Sequence, residues 1–116
     1  MEKECIFCKI VKGEISAKKI IEGENFIVIE DARPKVNGHL LVIPKKHFKT
    51  FLDIPSLMFN EFMDVTKSAV IKIMKSTKSE GFNLEMNNFE VAGQIVPHAH
   101  LHILPRKKGD GFRMSV

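Results

Sequence analysis

The sequence has no tryptophan, no tyrosine and only two cysteines in 116 residues. It also lacks any apolar run near the roughly 18 residues that cross a bilayer, so a chain with helical membrane spans is not expected. No repeat, low-complexity tract or linker interrupts it, and residues 1–116 read as a single domain. The start, MEKECIFCKIVKGEI, is charged and lacks the apolar centre of a secretory leader, which makes the cytoplasm the expected location. One close pair of cysteines, Cys5 and Cys8, is no disulfide framework. The nine phenylalanines are the whole aromatic complement. Most fall in periodic apolar segments and read as core rather than as stacking platforms for bases.

What is present suits a globular domain: 44% hydrophobic and 28% charged residues, in a chain long enough to bury roughly two-thirds of its extended surface. A net charge of +4 favours phosphate-bearing ligands. The basic residues are scattered, with short clusters at Lys45–Lys46 and Arg106–Lys107–Lys108. Nucleic acid is therefore not expected as the main partner.

CIFCKIVKG reads as a short helix closed at Gly13. KKIIEGENFIVIED reads as a hairpin with strands near 18–22 and 26–30. ARPKVNG is a loop, and HLLVIP a short strand. From Pro55 and Ser56 onward, Met58, Phe59, Phe62, Met63, Thr66, Ala69, Val70, Ile73 and Met74 recur at helical spacing. That pattern predicts a long amphipathic helix ending at Gly81. GFNLEMNN alternates as a strand, with Phe82, Leu84 and Met86 on one face. FEVAG is a loop, QIVPHAHLHILP a final strand, and RKKGDGFRMSV an irregular tail. The expected class is α+β: a mostly antiparallel sheet of about five strands, one long covering helix and a short N-terminal helix.

Chemistry concentrates in two places. His98, His100 and His102 alternate strictly, and residues two apart in a strand face the same way. Such a row of imidazoles can bind a metal, or one of them can act as nucleophile or base oriented by its neighbours. The second place is the C-x-x-C. Cys5 and Cys8 have zinc spacing, and His47 and His98 can complete a closed Cys2His2 set, leaving His100 and His102 for reaction chemistry. The plain alternative is a pair of reduced helix cysteines.

HAHLHIL resembles the histidine triad motif, in which three histidines alternate with apolar residues. CIFCKIVKGEI, GHLLVIPKKH, AGQ and LPRKKGDGF extend the likeness across nearly the whole chain, to the histidine triad (HIT) superfamily of nucleotide hydrolases and transferases. The resemblance implies a HIT-like fold and a homodimer. It implies that His100 attacks the α-phosphorus of a nucleoside phosphate, forming a nucleotidyl-histidine that water hydrolyses. His102 would contact the phosphate, and His39 would support the imidazoles. Gln94 would place its amide by the phosphate, Asn87 would lie near the α-phosphate and ribose, and Gly93 would let the backbone approach. Asp31 would take the ribose hydroxyls. Phe7, Ile10, Ile15 and Ile29 match positions of the apolar base slot, although each also reads as core. Cys5, Cys8, His47 and His98 match the structural zinc set of some members.

Two features depart from the family: Ile95 stands where a Ser or Thr usually follows the Gly-Gln pair, and Ser16 stands where Pro is frequent. The sequence also reads without the longer, Trp-bearing tail of some relatives. The implied function is cleavage at the α-phosphate of purine nucleoside phosphoramidates, phosphoanhydrides or dinucleoside polyphosphates, with AMP- or GMP-type nucleotides bound. The alternative is a nucleotide- and zinc-binding regulatory protein with little catalysis.

Overall fold

A computed structural model describes residues 4–113. The expectations placed on Met1–Lys3 and on the last three residues of the tail lie outside the described residues. Five strands form one antiparallel sheet: β1 (Lys19–Glu22), β2 (Phe26–Glu30), β3 (Leu40–Pro44), β4 (Gly81–Glu85) and β5 (Leu101–Arg106), in the order β1-β2-β3-β5-β4. The short helix α1 (Ile6–Val11) covers one face and the long helix α2 (Phe59–Thr77) the other.

Both faces of the central strands are therefore buried, and β2 and β3 read as nearly continuous apolar runs, FIVIE and LLVIP. Alternation sorts their side chains. Phe26, Val28, Leu40 and Val42 join Leu101 and Ile103 beneath Phe62, Ala69, Val70 and Ile73 of α2. Ile27, Ile29, Leu41 and Ile43 pack under Phe7, Cys8 and Ile10 of α1. Phe26 and Phe62 stack with ring centroids 4.9 Å apart. The β1–β2 turn is tied to α2 by Glu61, whose carboxylate accepts from the Asn25 backbone N–H at 2.7 Å and side-chain amide at 2.8 Å.

Several boundaries differ from the sequence expectation. Helix α2 stops at Thr77, where Lys78 takes the left-handed conformation (φ 57°) and caps the Met74 carbonyl, while Gly81 opens β4 instead. Its buried face is narrower than the periodicity implies, since Phe59 and Met63 are exposed. In β4 the alternation holds but the apolar side faces out: Phe82 and Leu84 are 44% and 48% exposed, because the strand lies at the sheet edge and α2 sits mainly over β2 and β5. The last strand starts at Leu101, not near Gln94. Pro97 has no N–H for a ladder, and the chain bends over 96–98 with the His98 N–H donating to the Val96 carbonyl at 2.8 Å.

After β5 the chain is irregular but anchored. Arg106 reaches Asp110 at 2.7 Å and Asn83 at 2.8 Å, and also bonds the Phe112 carbonyl. The Arg106 guanidinium holds the Asp110 carboxyl well below the usual carboxylate range. At the same end of the sheet, Gly38 (φ 86°) brings the 32–38 loop against α2, where an added Cβ would sit 2.7 Å from Thr77 Cγ2. That contact fixes the loop immediately before His39.

Candidate active site and metal centre

The α1 face of the sheet gathers nearly all of the candidate residues. His102 pairs with Leu41 across β3–β5, and Leu41 belongs to the α1 cluster. His100 lies beside His102, ring centroids 5.0 Å apart. Phe7 of α1 stands edge-on to both His98 (5.7 Å) and His100 (5.0 Å). His98 and His100 thus share this side although they precede the regular strand, and both are buried.

Hydrogen-bond partners set the tautomer of each ring, and only His100 carries its proton on Nδ1. A carbonyl only accepts, so His98 donates Nε2–H to the Pro44 carbonyl (2.9 Å) and its Nδ1 lone pair faces the cysteines. His100 donates Nδ1–H to the His98 carbonyl (2.8 Å), which places its lone pair on Nε2. His39 accepts the Lys35 N–H on Nδ1 (3.1 Å), so its proton sits on Nε2. There it is 2.9 Å from His102 Nδ1 and 3.3 Å from Asp31 Oδ2. With Nδ1 accepting, His102 keeps its own proton on Nε2.

Burial is the largest influence on the rings of His39, His100 and His102. It pushes His39 and His100 below the ordinary imidazole value, against the opposing pull of Asp31. It takes His102 to about 4, helped by the neighbouring His100 and His39. These rings are neutral at pH 7, as a nucleophile and a hydrogen-bonded relay require.

Four potential metal ligands converge from three segments. Cys5 caps α1, its sulfur accepting from the Cys8 N–H at 3.3 Å. Cys5 Sγ lies 3.3 Å and Cys8 Sγ 3.6 Å from His98 Nδ1, while His47 Nδ1 lies 3.2 Å from both Cys8 Sγ and His98 Nδ1. Bonds of about 2.3 Å to sulfur and about 2.0 Å to nitrogen, spread evenly around one zinc ion, separate S from N by roughly 3.5 Å and N from N by roughly 3.3 Å. The residues fit that ion, and the Pro44 carbonyl holds His98 in the tautomer a ligand needs.

Asp31, His39 and His102 also bring three ligand atoms close together. Their tautomers oppose a metal, because the Lys35 N–H keeps the proton on His39 Nε2, the nitrogen that would have to coordinate.

The remaining predicted residues divide. Asp31 is part of the imidazole network, with its other oxygen accepting from the Arg33 N–H at 2.8 Å. Phe7, Ile10 and Ile29 are buried in the α1 core, whereas Ile15 is exposed. Asn87 lies against Gly93, whose φ of 96° requires glycine; the space beside Gly93 is occupied by the Asn87 side chain.

Gln94 departs from expectation. Its amide donates to the Lys49 carbonyl (2.6 Å) and the Val96 carbonyl (3.0 Å), and its oxygen accepts from the Phe89 N–H (2.7 Å). Both amide hydrogens are engaged, so Gln94 clamps the loop and has no donor left for a phosphate. Ile95 is 91% exposed.

Sequence reasoning missed the groups that set the tautomers, the Pro44 carbonyl and the Lys35 N–H. Every residue offers a main-chain carbonyl and every residue but proline an N–H, so no side-chain signal marks them. It also missed Phe89, which holds φ 73° and ψ 154°, a region that glycine ordinarily occupies.

Comparison with known proteins agrees with this arrangement. The HIT domain family model matches residues 12–109. An uncharacterised HIT-like protein of Methanocaldococcus jannaschii is 44% identical over 92% of this chain and 82% of its own. An adenylylsulfatase of Arabidopsis thaliana is 37% identical over 95% of this chain and 56% of its own. An adenosine 5′-monophosphoramidase of Saccharomyces cerevisiae is 36% identical over 92% of this chain and 65% of its own. A zinc-bound histidine triad family protein from Mycobacterium smegmatis superposes with a TM-score of 0.87 at 37% identity, covering 96% of this chain and 81% of that one. A family model spanning most of the chain, relatives at this identity and three histidines on one side of a five-stranded sheet lead to one conclusion: the chain belongs to the HIT domain family.

Proposed function

We propose that the protein is a nucleotide hydrolase or nucleotidyl transferase that cleaves purine nucleoside phosphoramidates, phosphoanhydrides or dinucleoside polyphosphates at the α-phosphate. The observation that carries this reading is the Nδ1–H of His100 held by the His98 carbonyl at 2.8 Å. It leaves Nε2 of a neutral ring as the nucleophile. That nitrogen attacks the α-phosphorus, and the bond from phosphorus to the leaving nitrogen or oxygen breaks. The Nε2–H of His102 donates a hydrogen bond to the departing atom, which takes its proton from water, and His39, itself beside Asp31, holds His102 from behind. Water then attacks the nucleotidyl-His100, releasing the nucleotide and regenerating the ring. Asp31 is the ribose-side acceptor, and Phe7, Ile10, Ile15 and Ile29 form the base slot. Asn87 and Gly93 shape the phosphate side. The yeast and plant relatives named for adenosine phosphoramidate and adenylyl sulfate cleavage support an adenylyl substrate.

Cys5, Cys8, His47 and His98 would hold one zinc ion, whose role is to bind α1 to the segment leading into β5. The reducing cytoplasm suits such thiols. A second copy of the chain would cover the open edge of β4, giving a homodimer.

His100→Ala is expected to abolish turnover of an adenosine phosphoramidate while the variant still binds AMP. Incubation of the wild type with a labelled adenylyl substrate should place the label on His100. Unchanged turnover in the variant would sink the nucleophile assignment. The second reading, a nucleotide- and zinc-binding regulatory protein, is favoured by Ile95 and Gln94, neither of which offers a side-chain donor to a leaving group. Tight AMP binding with no turnover across a substrate panel would select it.

A further inference from the structure

His98 belongs to two constellations at once. Its ring faces Cys5, Cys8 and His47, and its main-chain carbonyl accepts the Nδ1–H of His100. Two more links run the same way. Phe7 lies between the two cysteines in the chain, and its ring closes on His100 at 5.0 Å. Phe48 follows His47, and its carbonyl accepts the Ala99 N–H at 2.7 Å, between His98 and His100. Each of the three segments that supply the four ligands therefore also touches His100 or the backbone next to it. The cluster stands behind the nucleophile rather than beside the substrate.

We propose that His98 is a positioning residue for His100, and that filling the Cys5–Cys8–His47–His98 cluster with zinc sets the rate of the first chemical step. This rests on the reading of His100 as nucleophile. A ring whose carbonyl partner drifts can carry its proton on Nε2, and in that tautomer no lone pair faces the phosphorus. Second-layer partners of this kind change activity by about 10–100-fold when removed. Nothing in the cluster needs to touch the nucleotide, so affinity and rate separate.

The test compares the zinc-loaded wild type, the chelator-depleted wild type, His47→Ala and His47→Cys. His47 is the least buried of the four ligands, and cysteine restores a four-ligand set. Zinc content, AMP affinity by calorimetry, kcat and KM on an adenosine phosphoramidate, folding by circular dichroism and the His100 tautomer by 15N NMR are recorded for each. Depleted wild type and His47→Ala are expected to stay folded and to keep AMP affinity and KM within about twofold. Their kcat should fall about 10–100-fold, and His100 should shift from the Nδ1–H form to a tautomer mixture. His47→Cys should regain both zinc and kcat.

Unchanged kcat and tautomer after depletion overturn the proposal. So does unfolding on depletion, or loss of AMP affinity in step with kcat, either of which makes the cluster a plain structural site. Failure of the nucleophile reading is distinguishable, because then even the zinc-loaded wild type shows no turnover and no label on His100.

Discussion

At the scale of single residues, His100 differs from His98 and His102 in carrying its proton on Nδ1 rather than Nε2, and that difference supports its reading as the nucleophile. The row and the cysteine pair were legible in the sequence because imidazoles and thiols at fixed spacing are chemically distinctive. Gln94 was not, since an amide goes wherever tertiary packing brings a carbonyl, here to Lys49 and Val96. Phe89 carries a testable consequence. Its backbone conformation costs about 1–3 kcal/mol in a non-glycine residue. The ring is 45% exposed, with Lys49 Nζ 5.7 Å away, an exposed contact worth about 0.5–1 kcal/mol. Glycine brings an unfolded-state entropy cost of about 0.5–1 kcal/mol. Near the upper half of the strain range relief wins, and Phe89→Gly should stabilise the protein by about 1 kcal/mol. A urea midpoint at or below the wild type's would contradict this.

At the scale of elements, β2 and β3 were readable as unbroken apolar runs, and the hairpin from its Gly-centred turn. The start of β5 was not, because alternation continues through Pro97 while hydrogen bonding does not. The end of α2 was misplaced since Lys78, rather than a glycine, takes the left-handed position. The outward face of β4 could not be inferred either, because alternation marks which residues share a side but not whether another element covers it. That face is the element-scale test of the homodimer. Phe82 and Leu84 present an apolar pair at a sheet edge, a surface that pairing with a second copy would bury. Leu84→Lys puts a charge there and should shift sedimentation from dimer to monomer without loss of secondary structure. A wild type that sediments as a monomer would remove the dimer.

At the scale of the whole molecule, burying neutral histidines links stability to pH. The folded values of His39 and His102 lie below the unfolded imidazole value, His102 at about 4. Between about pH 6.5 and pH 4 the unfolded chain therefore binds more protons than the folded one. Stability from these rings is complete above pH 6.5 and falls as the solution is acidified through that window. Melting temperature should drop steadily from pH 7 to pH 4.5 and stay level from pH 7 to pH 8, and a flat profile below pH 6.5 would refute the buried neutral rings. On acidification the fall of kcat/KM should begin below the ordinary imidazole value, since burial pushes His39, His100 and His102 down.

The Lys35 N–H that points at His39 has a consequence for life among competing cations. A zinc ion drawn to the cysteine cluster would also meet Asp31, His39 and His102, which offer three ligand atoms close together. To coordinate there, His39 must turn an N–H against the N–H of Lys35, leaving a buried donor without an acceptor. That mismatch would cost about 1–3 kcal/mol, roughly 5–150-fold in affinity. One main-chain hydrogen bond would thereby favour the cysteine cluster over this trio for a metal ion.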